Sequence, residues 1–438
     1  MNYSGLPDLI AIGGLVAVFV MLSQRGEQAR LRKWVLGWAL VLVHFLSELV
    51  AQNVGFAPVS QAAWAFAVAA LLLSSVAFVW AMDPASPGRY RWPTIVFLGA
   101  LADVAFIVCL LYGSRSVTLF ALLTLVGAGV SLAVYCRNRR RGEWRSQTGR
   151  ASFLIAAYGA QLGLVLTGHF EAGLVWMLCW HYLAAAIMFR RGAPGATIGV
   201  VFTTLSFVAW ALVFPVGLAV ATWLPHVDVA PEIWNLPKYL VATGMLITLL
   251  QEQTSRFEYA ALHDALTAIP NRRLLIRALN DAASRARHDG PGFALIFIDL
   301  DLFKSVNDSL GHAAGDRLLR LVADRLNQHM RRDDLLARIG GDEFAVLVPD
   351  VTDRDAVDGI ARKLTGLLSE PFELGGNHYL IGASVGYALA PAEGGDTETL
   401  YALADRRMYD DKQAGRRRPQ RSGSAAPLPD MASTVTDA

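Results

Sequence analysis

Before about Leu250 the chain is a succession of apolar stretches, near residues 8–23, 34–56, 62–82, 93–113, 116–136, 152–170, 173–189, 196–224 and 237–251. Each is close to the ~20 residues a helix needs to cross a bilayer, where the backbone must satisfy its own hydrogen bonds. The first half is therefore expected to be a bundle of about nine spanning helices. Pro215 interrupts the eighth stretch and the ninth is short, which leaves totals of about eight or ten open. The first stretch reads as a retained span, because no basic group precedes it and the positive cluster follows it. The chain is 54% hydrophobic and 17% charged, and most of the charge comes after the apolar half. A net charge of +2 gives no sign of a nucleic-acid partner. Cys109, Cys136 and Cys179 all lie in or beside apolar stretches, which argues against a disulfide framework.

Alternate connections carry the basic residues: Arg25, Arg30, Arg32 and Lys33; Arg89 and Arg91; Arg137, Arg139, Arg140, Arg141, Arg145 and Arg150; Arg190 and Arg191. The intervening connections hold Arg115 and, at a span edge, Lys238. Positive residues stay on the cytoplasmic side, so this asymmetry predicts an outside N-terminus and a cytoplasmic second half in a bacterial inner membrane. Ionisable groups inside spans are costly and often functional. His44 and Glu48 share one helix face, and His181 enters the seventh span from the outer side, at a depth compatible with a sensory pocket. Hydrogen-bonded helix contacts are the other explanation, and no His-x-x-x-His metal spacing is present.

From Leu246 to Ala261 the sequence keeps helix formers, with Leu246, Leu250, Gln253, Phe257 and Ala260 in a weak heptad trace. Residues 252–263 read as a helical linker, either a short coiled coil or a plain connector. Past it, residues 264–418 alternate short apolar runs with amphipathic stretches. Asp264 to Arg273 forms a turn closed by Pro270 and Asn271 ahead of a helix over 274–287. Phe293 to Ile298 is a continuous apolar run ending in Asp299, as expected of a central buried strand that delivers an acid at its tip. A polar segment, Leu300 to Asp308, follows and leads to a helix over 316–330. Leu335 to Ile339 and Phe344 to Val348 then flank Gly340-Gly341-Asp342-Glu343, a tight β-hairpin whose tip needs positive φ. An acidic pair held up on such a tip beside Asp299 suits a cation or a proton, and its hard oxygen donors suit magnesium or manganese.

Gly340-Gly341-Asp342-Glu343-Phe344 resembles the signature of the GGDEF family of diguanylate cyclases. The resemblance extends over about residues 261–418. It includes Asp264-Ala265-Leu266-Thr267-Ala268-Ile269-Pro270-Asn271-Arg272-Arg273, where Ala268-Ile269 replaces Gly-Leu, then Ser384-Val385-Gly386-Tyr387, Ala404-Asp405, Tyr409, Lys412 and Gly415-Arg416. It implies an α/β domain with a nucleotide-cyclase-like palm, a mostly antiparallel sheet flanked by helices. The implied reaction joins two GTP molecules into cyclic di-GMP with loss of two pyrophosphates, in a homodimer. Asp299, Asp342 and the Leu300 carbonyl would hold Mg²⁺ or Mn²⁺, with Glu343 at a second metal or taking the attacking proton. Asn307 and Asp316 match guanine-reading positions. Lys304, Lys412, Arg416 and the main chain near Phe303 would neutralise the triphosphate. Arg407, Asp411 and Arg417 depart from the family pattern.

Arg331-x-x-Asp334 ends five residues before Gly340 and matches the family's product-inhibition motif, implying feedback by cyclic di-GMP. The expected whole is a membrane sensor over 1–251, the linker, the catalytic domain and a disordered tail over 419–438. A catalytically silent GTP or cyclic di-GMP receptor, or a transporter-like membrane protein carrying a regulatory cyclase, are the competing readings.

Overall fold

A computed structural model of the chain describes residues 5–24, 29–82, 92–139, 144–193, 195–288 and 291–417; the proposed tail over 419–438 lies outside them. The chain divides into two compact units, Met1–Glu252 and Gln253–Ala438.

The described part of the first unit is helical: α1 (Leu6–Gln24), α2 (Ala29–Asn53), α3 (Ala57–Ala81), α4 (Trp92–Leu111), α5 (Val117–Arg139), α6 (Trp144–Leu166), α7 (Phe170–Gly192), α8 (Ile198–Trp223) and α9 (Pro231–Leu262). Among the described residues, six of these helices are long and apolar enough to cross a membrane, namely α1, α2, α3, α7, α8 and α9. Shorter apolar stretches occur within α4, α5 and α6, at Gly99–Leu111, Val117–Ala133 and Ser152–Leu166. Pro215 does not break the eighth helix, which is continuous through it. Likewise α9 runs through Pro237 and on past the expected end of the ninth span to Leu262.

Bulky apolar side chains such as Leu46, Phe66, Leu122, Ile155 and Leu205 point outward, as lipid-facing positions do. The interior is aromatic. Trp34, Trp38 and Trp210 are fully buried with Phe78, Tyr182 and Phe207, and Trp38 and Trp210 stack at 6.3 Å between centroids. Gly37 permits this packing, since a Cβ there would run into the Phe78 ring.

The second unit contains α10 (Arg272–Arg287), β1 (Phe293–Leu300), α11 (Phe303–Leu310), α12 (His312–Asn327), β2 (Leu335–Gly340), β3 (Glu343–Pro349), α13 (Arg354–Leu368), β4 (Phe372–Leu374), β5 (Asn377–Tyr379), β6 (Ala383–Ala390) and α14 (Thr397–Arg417). The four-stranded sheet has the order β2-β3-β1-β6, and each neighbouring pair is antiparallel. β4 and β5 form a separate two-stranded hairpin. The helix expected over 316–330 begins at His312 and ends at Asn327, and α11 occupies the segment that had looked merely polar.

Strand parity explains the layering. Ala294, Ile296 and Ile298, with Phe344, Val346 and Val348, pack on Leu318, Val322 and Leu326 of α12 and Val357 and Leu364 of α13. Phe293, Leu295 and Phe297, with Ala345 and Leu347, pack on Leu275 and Leu279 of α10 and Leu400, Ala404 and Met408 of α14. All eight residues of β1 are buried, which is why its sequence is apolar without alternation.

Candidate active site

Asp299 has the parity of Phe293, Leu295 and Phe297, so the strand period turns it toward α14. Glu343 has the parity of Ala345 and Leu347, and β1–β3 pairing sets it directly across from Asp299. The two acids therefore share one face by register. Asp342 sits at the hairpin tip beside them, and its carbonyl accepts the Leu300 N–H at 3.2 Å. Gly341, with φ +54°, supplies the left-handed residue that the turn requires. An open cleft of about 550 Å³ lies alongside, lined by Asp299, Glu343, Asp405, Tyr409, Lys412 and Gln413. α14 reaches this position because Gly386 lets it lie on β6; a Cβ there would collide with the backbone of Ala404 and Met408.

Burial, and after it repulsion from Asp299, raises the pKa of Asp342 above the usual carboxylate range. Glu343 is raised by burial, then by Asp299 and Asp342. The cluster thus carries more negative charge than its surroundings stabilise. Lys412 offsets part of it by donating to Asp299 Oδ1 at 2.6 Å. Lys412, which the sequence assigns to phosphate, thus lines the same cleft as the acids and rests on one of them. Among the described residues no three ligating side chains stand ready as a metal cage. Two or three carboxylates with an open flank still fit magnesium, which takes one or two protein carboxylates and completes its shell with water and substrate phosphates.

The hairpin is fastened by Arg338. Its Nε and Nη2 donate to the Gly341 carbonyl at 3.0 and 2.8 Å, while Nη1 donates to Asp264 Oδ1 at 2.8 Å. Burial alone would raise Asp264, but hydrogen bonds from Thr267 and Arg338 hold it below the usual range. Asn271 caps α10 by accepting from Arg273 N and Leu274 N, and its amide donates to the Ala261 carbonyl. The entry motif and the hairpin tip are thus one hydrogen-bonded body.

Phe303, Lys304 and Asn307 lie on α11, whose N-cap Leu302 is left-handed at φ +62° without a side-chain cap. The N–H groups of its first turn stay available to an acceptor. Asn307 packs on Gly315, so closely that a Cβ at 315 would strike its carboxamide. Asp316, exposed, follows on α12, so the two proposed guanine-reading residues come from neighbouring helices. Arg331 and Asp334 form a local turn in which Asp334 Oδ2 accepts the Arg331 N–H at 2.8 Å, leaving the Arg331 side chain exposed. The Arg416 side chain lies outside the described residues.

Sequence reasoning gave no role to Arg338, Asp301, Asp405 or Tyr409. Asp301 accepts from Ser384 Oγ at 2.9 Å and is raised by burial, a rise that this hydrogen bond opposes. Asp405, Tyr409 and Lys412 recur at helical spacing on one face of α14, a signal available in the sequence. Two departures from the family pattern have structural uses. Arg407 pairs with both Glu393 oxygens at 2.7 and 2.8 Å, and Asp411 accepts the Val385 N–H at 3.0 Å.

His44 and His181 have separate surroundings. His44 Nε2 faces Glu48 at 3.8 Å, and its other ring nitrogen meets the Ala67 carbonyl at 3.0 Å. His181 Nε2 instead faces Asp103 at 3.5 Å, and Tyr158 donates to the same carboxylate at 3.4 Å.

Residues 261–418 match the family model described as diguanylate cyclase, GGDEF domain, and over that stretch the chain carries a GGDEF domain. It is 41% identical over 174 residues to the bifunctional diguanylate cyclase/cyclic di-GMP phosphodiesterase MucR of Pseudomonas aeruginosa, covering 40% of this chain and 25% of MucR. It is 29% identical over 308 residues to the cyclic di-GMP phosphodiesterase NbdA of the same organism, covering 69% of this chain and 37% of NbdA. Among solved structures, a sensory box/GGDEF family protein from Caulobacter crescentus is 39% identical with a TM-score of 0.34, over 35% of this chain and 99% of that one.

Proposed function

We propose that the chain is a membrane-embedded diguanylate cyclase that condenses two GTP into cyclic di-GMP and two pyrophosphates. The observation that carries this reading is the Asp299–Glu343 register pair, with Asp342 at the adjoining tip, facing an open cleft. Asp299, Asp342 and the Leu300 carbonyl would hold one divalent cation, and Glu343 a second. When bound, the ions supply charge neutralisation to the attacking and leaving oxygens of the α-phosphate. The protein's own groups do the rest. The main-chain N–H groups at Phe303, with Lys304, Lys412 and Arg416, would take the triphosphate. Asn307 and Asp316 would read the guanine edge, rejecting adenine because it cannot pair with the polar atoms that they present to the base. If Glu343 is not taken up by that second cation, its carboxylate is the group placed to accept the 3′-hydroxyl proton.

Each chain would present one GTP, so turnover needs two chains face to face. Cyclic di-GMP bound at Arg331 and Asp334 would hold domains apart and limit output. The first unit would lie in a bacterial inner membrane with about nine spans, N-terminus out and the GGDEF domain in the cytoplasm. Its two histidine clusters are where a signal would be received.

Incubation of the purified full chain with GTP and Mg²⁺ tests the activity, with Asp342→Ala as control. Product from wild type and at least about a hundredfold less from the variant is expected. Tight GTP binding with no product from wild type would instead favour a silent receptor. An Arg331→Ala variant as product-sensitive as wild type would remove the feedback site.

A further inference from the structure

Two adjacent residues at the inner end of the membrane unit hold α9 in place. Glu252, the last residue of that unit, pairs through Oε2 with the Arg30 guanidinium at the start of α2. Gln251 turns the other way, and its Oε1 accepts the Gly199 N–H in the first turn of α8 at 3.0 Å. Arg30 is itself fixed, since its guanidinium lies 5.0 Å from the centroid of the fully buried Trp34 ring. The contact with α8 is made by small residues. A Cβ at Gly199 would fall 2.7 Å from Thr248 N, and one at Gly244 would fall 2.9 Å from the Thr203 Cα. Backbones this close, with each threonine hydroxyl bonded within its own helix, form a smooth crossing. The polar grip on either side is what fixes position along it.

The pair is incompletely satisfied. Among the described residues Glu252 Oε1 is buried without a hydrogen-bond partner. Leaving a carboxylate oxygen so placed is costly, and opening would let water reach it. α9 continues through the boundary to Leu262, and the Ala261 carbonyl accepts from Asn271 of the entry motif, which Arg338 ties to the catalytic hairpin. Residues 251–252 and Ala261 thus belong to one helix.

We propose that the Arg30–Glu252 pair and the Gln251–Gly199 hydrogen bond form a latch through which the membrane helices set the state of α9 and with it the rate of the cyclase domain. The proposal rests on the cyclase reading for its output, but the latch has a physical signature of its own. The test uses the full chain in lipid nanodiscs as wild type, Arg30→Glu, Glu252→Arg, the double charge swap, and Gln251→Ala. Backbone amide exchange over residues 246–262 and the rate of cyclic di-GMP formation are both followed.

Each single charge reversal is expected to speed exchange over this segment about tenfold and to change the rate of product formation by about threefold or more. The swap should return both toward wild type. Gln251→Ala, which disturbs no charge, should show a smaller change in both. Unchanged exchange in the single variants, or a swap that restores nothing, overturns the latch. Exchange that responds while product formation does not overturns its regulatory role. A wild type that makes no product defeats the cyclase reading, and with it the regulatory half, while the exchange results still judge the latch.

Discussion

Ala268 has φ +58°, in the left-handed region where a Cβ meets the following carbonyl. The sequence shows Ala268-Ile269 where the family has Gly-Leu, but only the backbone reveals that Ala268 itself is the left-handed residue. The geometry adds that the Ala268 N–H donates to the Asp264 carbonyl at 2.8 Å, so the turn cannot relax freely. Ala268→Gly should stabilise the domain by about 1 kcal/mol, the strain removed less the chain entropy that glycine adds, read from a chemical or thermal melt. Arg338 makes the opposite case. Nothing in the sequence distinguishes it from a solvated arginine, because its partners Gly341 and Asp264 are brought to it by the hairpin and by a contact across 74 positions. Arg338→Ala should lower stability by about 2–3 kcal/mol and reduce activity further than that loss of folded protein explains. The Asp264 carboxylate, held below its ordinary pKa, adds stability that is present above about pH 4 and is lost as pH falls through its folded value.

At the level of elements, β1 and the hairpin were legible because an unbroken apolar run and a Gly-Gly tip are local signals. α11 was not, since its apolar residues Phe303, Val306 and Leu310 do fall at helical spacing but over only eight residues, too short a run to set apart from a polar loop. The β4–β5 pair, three residues per strand, is equally short for any pattern. The role of Lys412 depended on how α14 lies on β6, which Gly386 decides and which no spacing within α14 reveals. Gly386→Val should therefore displace α14, widen the distance from Lys412 to Asp299, and abolish activity while the membrane helices remain folded by circular dichroism. The acid cluster itself predicts a pH dependence. Asp342 and Glu343 have raised pKa values, so stability tied to their neutral forms is present below the ordinary carboxylate range and is lost as pH rises through the raised values. A divalent cation should oppose that loss. Mg²⁺ or Mn²⁺ should raise the melting temperature of the second unit at pH 7.5 and much less near pH 4.5, and Asp342→Asn should shrink the effect.

On the scale of the whole chain, composition changes from apolar to charged near residue 252, and the two compact units of the structure divide at the same place. Span boundaries were less visible. A proline within a long apolar helix need not stop it, as at Pro215 and Pro237. The proposed orientation predicts that, in a cysteine-free background, Ser114→Cys reacts with a membrane-impermeant thiol reagent added to intact cells. Thr197→Cys, in the connection after Arg190 and Arg191, should react only after the cells are opened.

The central claim is that Asp299, Asp342 and Glu343 make this chain a GTP-consuming cyclase rather than a receptor. The most direct measurement follows nucleotides after full-length protein is given GTP and Mg²⁺, with Asp342→Asn, which preserves size and removes charge, run in parallel. Cyclic di-GMP and two equivalents of pyrophosphate from wild type, with neither from the variant, is the predicted result. GTP left intact by a folded, GTP-binding wild type would contradict it.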